Sequence, residues 1–268
     1  MSTRCVRVPL SADTGVRAGK RRRARRVAAG MSLEVEIWSD VVCPWCYIGK
    51  RRFEAALARF DHADEVELTW RSFELDPSAG PSDAQPGSYV TRLATKYGRS
   101  TPQAQEMLDS MTATAAAEGL DFRFDLARPG NTFDAHRLLH LAKEHGLQDT
   151  LKERLDRATF TEGSPASDHE ALRALAVEVG LPEDRVSAVL ASDDYAADVR
   201  ADEDQARAHG ISGVPFFVID AKYGISGAQP AETVLQALEQ AWSERSPLTL
   251  VTPAGEAAPG CEGDSCAV

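Results

Sequence analysis

Leu33-Glu34-Val35-Glu36-Ile37-Trp38, then Ser39-Asp40-Val41-Val42, then Cys43-Pro44-Trp45-Cys46: this stretch decides the fold. Its first six residues alternate apolar and charged with period two, the pattern of a half-buried strand. After four connecting residues the cysteine motif opens a helical segment running to about Phe60, and Pro44 suits a first helical turn because its missing N–H costs nothing there. Val66 to Phe73 reads as a second strand. Strand, helix, strand at this spacing is a βαβ unit, whose right-handed crossover makes the two strands parallel.

Outward from that unit, Pro77 to Pro86 is rich in Pro, Ser, Gly and Asp and marks a departure from the sheet. Apolar residues then recur at helical spacing. Helices are predicted over Ser88–Tyr97, Pro102–Glu118, Thr132–His145, Asp149–Phe160, Asp168–Val179, Pro182–Leu190 and Asp194–His209, several with Ser, Thr or Asp at the cap. Beyond Gly210 the strand pattern returns in Val214–Ile219 and, after the turn Asp220-Ala221-Lys222, in Tyr223–Ser226, followed by an amphipathic helix over Pro230–Trp242. The expected fold is α/β: a βαβ half and a ββα half of one sheet with a large all-helical insertion between them. The expected division is a basic, disordered leader over 1–30, a first half over 31–78, the insertion over 79–209, the second half over 210–246 and a flexible tail over 247–268.

A CxxC motif between a strand and a helix places its first sulfur where backbone N–H groups are unsatisfied and the helix dipole is positive. Thiolate is favoured there, so Cys43 is the expected nucleophile, and Cys46, one turn deeper, can attack the mixed disulfide and release product. The competing reading is half of a structural zinc site, with Cys261 and Cys266 as the other two ligands, against which their four-residue spacing in a Gly/Pro-rich tail argues. Gly213-Val214-Pro215 precedes the strand Phe216-Phe217-Val218-Ile219. With a CxxC upstream and a ββα unit after it, this is where a thioredoxin-type domain has a cis-proline loop whose backbone pairs with substrate.

Together SDVVCPWCYIGKRRFE (39–54), RSFELDP (71–77), NTFDAHRLLHLA (131–142), GISGVPFFVID (210–220) and YGISGAQ (223–229) resemble the FrnE-like branch of the DsbA family, over about Leu33 to Trp242. The resemblance implies a thioredoxin fold with a helical insertion, dithiol oxidoreductase or disulfide isomerase activity, Cys43 and Cys46 as the redox pair, and Pro215 in cis. It also implies that Asn131 and His136 lie near the dithiol as substrate-lining residues, beside Trp45 and Val214. Many such relatives carry a buried acid six residues before the first cysteine; here that place holds Ile37, flanked by Glu36 and with Asp40 nearby as other candidates for the Cys46 proton. Trp45, Tyr47 and Phe216 are expected to form an apolar rim, or simply core.

Charge limits the partners. The first thirty residues carry nine Lys/Arg against one acid, Asp13, while the remainder has 21 basic and 40 acidic residues, a net of −19. An acidic body argues against nucleic acid. The leader's arginines are followed by no apolar stretch of signal-peptide length and no membrane-spanning run occurs, so the leader reads as a disordered tail or as an extension ahead of a start at Met31, with nucleic-acid or membrane-surface contact as the alternative. Five cysteines in two close pairs and a stray Cys5 suit redox chemistry in a reducing compartment, hence a cytoplasmic location. Cys261 and Cys266, on a tail able to reach several tens of ångströms, form a candidate second redox pair. His136 and His140 share a helix face at i, i+4 but lack the further ligands of a zinc site, so no metal is expected.

The leading functional expectation is a cytoplasmic thiol-disulfide oxidoreductase or disulfide isomerase acting on protein or small-molecule thiols and disulfides. Glutathione is expected as a redox partner rather than a tightly bound cofactor, and oligomeric state is left open. One alternative is a glutathione-dependent isomerase or transferase resembling 2-hydroxychromene-2-carboxylate isomerase or the kappa-class glutathione transferases, which typically carry a lone Ser or Cys where this chain has a dithiol. Another is a non-catalytic, chaperone-like binding protein using the apolar rim.

Overall fold

A computed structural model of the chain describes residues 32–82 and 88–245. The leader, including Cys5, and the tail with Cys261 and Cys266 lie outside the described residues. Four strands form one sheet in the order β2-β1-β3-β4, with β1 at Leu33–Ser39, β2 at Val66–Ser72, β3 at Phe216–Ile219 and β4 at Tyr223–Ser226. β1 runs parallel to β2 from Leu33↔Val66 to Ser39↔Ser72, and antiparallel to β3 from Val35↔Ile219 to Trp38↔Phe216. The helix α1, Pro44–Leu57, makes the β1–β2 crossover, and α9, Ala231–Ser243, follows the β3–β4 hairpin. This is the thioredoxin arrangement that the sequence predicts.

Alternation in the strands divides the core. Leu33, Val35 and Ile37 of β1 and Phe217 and Ile219 of β3 face a cluster with Phe53 and Ala56 of α1 and Val234 and Leu238 of α9. Trp38 and Val218 face the other way, against Ala206 and Ile211. Between β2 and β3 the chain forms α2 (Tyr89–Tyr97), α3 (Thr101–Ala117), α4 (Phe133–Glu144), α5 (Gln148–Arg157), α6 (His169–Glu178), α7 (Glu183–Leu190) and α8 (Ala196–Ala208). Caps set several of these starts: Ser88 accepts from the Thr91 N–H, Ser100 and Gln103 form a reciprocal capping box, and Asp168 accepts from the Ala171 N–H. Buried side chains of α4 to α7 make a second core, into which Val41 inserts from the loop after β1. The cysteine loop is therefore pinned by both cores.

Three predicted boundaries move, each for a local reason. The helix predicted over Asp149–Phe160 ends at Arg157 and continues as a π turn over Ala158–Glu162, because Phe160 turns into a cluster with Tyr47, Phe122 and Phe124 and its carbonyl accepts from the Arg123 N–H at 2.7 Å. The helix predicted from Asp194 starts at Ala196 after Tyr195, which has φ +62°. There the buried Arg137 guanidinium takes the carbonyls of Val189, Ser192 and Asp194 and holds that connection out of the helix. Strand β3 starts at Phe216 rather than Val214 because Pro215 brings no N–H to the sheet; the Val214–Pro215 peptide bond is cis.

Candidate active site

Cys43 is the N-cap residue of α1, in extended conformation, with Pro44 as the first helical residue. The Cys46 N–H donates to the Cys43 carbonyl at 2.9 Å, and the Cys43 N–H to the Asp40 carbonyl at 3.2 Å. This folds the motif into the turn that begins the helix. The Cys43 sulfur lies 3.6 Å from the Val214 carbonyl oxygen, to which its thiol donates. The two sulfurs are unbonded to each other; Cys43 is 4% exposed and borders a cleft, whereas Cys46 is wholly buried. Burial pushes the Cys46 thiol well above its ordinary value and the adjacent Cys43 sulfur adds to the effect; the Lys152 ammonium and the Asp40 backbone pull the other way.

The loop across from Cys43 is held by close packing. A Cβ on Gly49, one turn past Cys46, would lie 2.9 Å from Cγ of Pro215, so the bare glycine lets that ring sit against α1. The Pro215 carbonyl accepts from the Gly227 N–H at 2.8 Å, tying the loop to the end of β4.

The cleft at Cys43 has a volume of about 430 Å³. Val42, Pro44, Trp45 and Val214 line one side; Leu75, Ala79, Pro129 and Gly130 and, from α2 and α3, Tyr89, Leu93, Tyr97, Met107 and Met111 line the rest, with Lys96 as a cation. Of six large apolar side chains left exposed among the described residues, four border it: Trp45 (40%), Leu75 (40%), Tyr97 (54%) and Met107 (38%). The exposed apolar surface is thus gathered around the Cys43 sulfur. The helical insertion supplies most of this wall. From sequence, Met107 and Met111 at i, i+4 on α3 were the available signal for it.

Trp45 and Val214 stand at the cleft beside Cys43, where the sequence places them. Asn131 and His136 do not line it. The Asn131 side chain accepts from the Phe133 N–H at 2.9 Å and donates to Glu74 and the Pro77 carbonyl, each at 3.4 Å, so it fastens the 75–80 loop to the start of α4. His136 is buried behind the wall with Nε2 3.5 Å from an Asp40 carboxylate oxygen. Burial pushes that Asp40 carboxyl up, but His136, the Leu75 N–H at 2.8 Å and Thr132 outweigh it and hold the carboxyl below its usual range. His140 turns instead to Asp202, 3.1 Å away, so the two histidines serve different carboxylates. The other candidate for the Cys46 proton, Glu36, is engaged by Arg71 in β2. Tyr47 is core rather than rim: it stacks on Phe122 and Phe160 and donates its hydroxyl to Glu153 at 2.7 Å.

Sequence reasoning missed one buried ion pair in the insertion. Lys152 and Asp156 on α5 are both wholly buried and joined as an ion pair, one oxygen at 2.6 Å. Helical i, i+4 spacing shows the pair, but only the folded structure shows that both groups are buried.

Comparison with known proteins agrees with the geometry. The description of a DSBA-like thioredoxin domain matches residues 34–239. The chain is 30% identical over 195 residues to the uncharacterized protein YwbO of Bacillus subtilis, across 70% of this chain and 88% of that one. The crystal structure of a probable DsbA oxidoreductase from Streptomyces coelicolor is 51% identical, with a TM-score of 0.76 over 85% of this chain and 100% of its own. A cytosolic disulfide reductase, DsbM of Pseudomonas aeruginosa with GSH, shares the fold at 16% identity, with a TM-score of 0.54 over 78% of this chain and 96% of that one. A dithiol at a helix start, a proline loop facing it and a domain match that runs through both halves of the sheet have one explanation: this chain belongs to the DsbA-like thioredoxin-domain family.

Proposed function

We propose that the chain is a thiol-disulfide oxidoreductase whose Cys43 thiolate attacks a disulfide bound in the apolar cleft. The Cys43–substrate bond forms as the substrate's S–S bond breaks and one substrate sulfur leaves as thiol. Cys46 then attacks Cys43, giving the Cys43–Cys46 disulfide and a second thiol; the reverse sequence oxidises a substrate dithiol. The observation that carries this reading is the placement of the two sulfurs, one at the cleft against the Val214 carbonyl and one wholly buried. The exposed Trp45, Leu75, Tyr97 and Met107 favour cysteines set in apolar polypeptide segments as substrates. Val214, half-buried at the edge of the cleft, favours backbone pairing with an extended chain, and disulfide isomerisation follows when Cys43 attacks a non-native bond. Glutathione serves as the exchanging redox partner, a role supported by the GSH in the DsbM structure. The location we propose is the cytoplasm, on cysteine usage alone.

The test is equilibration with a glutathione buffer series followed by thiol trapping, in a chain with Cys5, Cys261 and Cys266 replaced by serine. A sharp two-electron transition at a potential well above about −300 mV supports the proposal. Absence of a reversible Cys43–Cys46 disulfide overturns it. Cys46→Ser should accumulate the mixed disulfide on Cys43, and Cys43→Ser should abolish exchange; retained binding of unfolded polypeptide without exchange in the native protein would point to the chaperone-like alternative.

A further inference from the structure

Between β4 and α9 the chain makes a short turn, Gly227-Ala228-Gln229, and this turn carries the proline loop. The Gly227 N–H is the donor to the Pro215 carbonyl at 2.8 Å, from a backbone with φ +78°, which glycine adopts without steric penalty. The turn also closes on itself: Gln229 donates its N–H to the Gly227 carbonyl and its side-chain amide to the Ser226 carbonyl, each at 2.9 Å. The Ala228 carbonyl is taken from outside the turn. It accepts from the Arg52 guanidinium at 2.6 Å, and Arg52 Nε donates to the Glu118 carboxylate at 2.6 Å.

Glu118 is the C-cap residue of α3, the helix whose Met107 and Met111 wall the cleft. Ala228 also packs on the cluster that Leu108 and Ala115 of α3 form with Tyr47 and Ile48 of α1. On α1, Arg52 stands three residues after Gly49 and so on the same face, and that face meets the loop twice: Gly49 against the Pro215 ring and Arg52 at the Ala228 carbonyl. Contacts therefore run unbroken from Glu118 through Arg52, the turn and the proline loop to the Cys43 sulfur. An ion pair whose side chains are 20% and 25% exposed adds little to stability by itself. What the guanidinium supplies is direction, because its planar fork holds a carboxylate and a carbonyl in one fixed geometry, which a lysine ammonium does not.

We propose that Arg52 is a positioning residue for substrate: tethered to Glu118, it holds the Ala228 carbonyl and, through the Gly227 hydrogen bond, sets the Val214–Pro215 backbone against which an extended chain pairs beside Cys43. This deepens the oxidoreductase reading above and rests on it. Arg52 touches neither sulfur, so its part lies in the reading of polypeptide backbone. A small disulfide that lacks a backbone reaches Cys43 without using the loop. The helical insertion thus sets the loop across from Cys43 as well as walling the cleft.

The experiment compares two oxidants of the reduced full-length chain with Cys5, Cys261 and Cys266 replaced by serine. One is the small aromatic disulfide dithiobis(nitrobenzoate); the other is an extended peptide whose central cysteine is held as a mixed disulfide with glutathione. Arg52→Met keeps the aliphatic stem and removes both hydrogen bonds. It should slow exchange with the peptide about tenfold and leave exchange with the aromatic disulfide within about twofold of the parent. Glu118→Gln loosens only the outer anchor and should give a smaller loss of the same kind, while Arg52→Lys should recover part of the peptide rate. Hydrogen exchange of the Gly227 amide reads the loop itself, and in Arg52→Met it should quicken about tenfold while the amides of β1 stay protected. Equal losses with the two oxidants, or no loss with either, overturn the proposal, as does a Gly227 amide that is unchanged. If the parent chain exchanges with neither oxidant, the oxidoreductase reading falls and the substrate role falls with it, whereas the Gly227 amide still decides whether Arg52 holds the loop.

Discussion

Gly49 is where the dithiol and the proline loop meet, with Cγ of Pro215 2.9 Å from where a Cβ would be. The pyrrolidine ring cannot fold out of the way as a long side chain would, so Gly49→Ala must displace the loop or the helix by several tenths of an ångström. Overpacking of this kind costs about 1–3 kcal/mol, against a helix-propensity gain of about 1 kcal/mol. The expected result is a small net loss of stability in urea titration. Thiol exchange should slow several-fold, since Val214 moves with the ring and misplacement near a reacting atom is costly in rate. Unchanged exchange would mean that the loop does not position substrate. At this scale the sequence located the dithiol at the helix start and the proline loop facing it, because CxxC after a strand and a proline before one are local patterns. It served poorly for Asn131, His136 and Tyr47, whose neighbours come from the 75–80 loop, from Asp40 and from α5; those contacts arise only when distant segments pack.

Strand β2 lies at the sheet edge, and the insertion covers it with side chains in place of a strand. Gln148 accepts from the Trp70 N–H at 3.0 Å and donates to the Trp70 carbonyl at 2.9 Å, while the Asp202 carboxylate accepts from the Ser72 N–H at 2.9 Å. Such capping removes the open edge that invites association. Gln148→Ala strands both Trp70 groups in a buried site and should cost about 2–3 kcal/mol by urea denaturation, with exchange activity retained below the transition. Equal stability would show that water satisfies the edge. At the opposite end of the sheet, Asp220 and Ala221 have φ of +52° and +53°, and the Lys222 N–H donates to the Ile219 carbonyl at 3.0 Å, a tight turn in which an alanine pays a steric penalty. Ala221→Gly should raise stability by about 0.5–1 kcal/mol, roughly 2 °C in Tm. The turn itself was legible in the sequence, as were the capped helices. What escaped it was each place where a side chain overrides the local pattern: Arg137 holding the connection before α8, and Phe160 drawing the end of α5 into a π turn.

Across the whole molecule, the helical insertion is bound to the sheet half by ionisable groups as well as by apolar contact, and those groups give stability a pH dependence of predictable sign. Burial pushes Glu153 up, but hydrogen bonds from Arg51 and Tyr47, together with Lys50, outweigh it and bring the carboxyl down to about 2. A carboxylate held below its unfolded value of about 4.5 contributes stability that is fully present above that pH and is lost as pH falls through about 2. Asp156 has the opposite sign: burial raises it to about 6, with Lys152 opposing, so its ionisation weakens the folded state as pH rises from about 4 through 6. Acidification from neutrality therefore first relieves Asp156 and only then undoes the seam that Glu153 makes between α5 and α1. Glu153→Gln keeps the shape of the seam and removes its charge. At pH 7 the variant should be less stable than its parent by about 1 kcal/mol, since a group one-third exposed is partly screened. By pH 3 the gap should shrink to roughly half or less, because the parent has by then lost most of the same contribution. Urea midpoints at pH 7, 5, 4 and 3 measure this directly. A gap that does not change with pH would assign the stabilisation at Glu153 to packing and hydrogen bonding rather than to its charge.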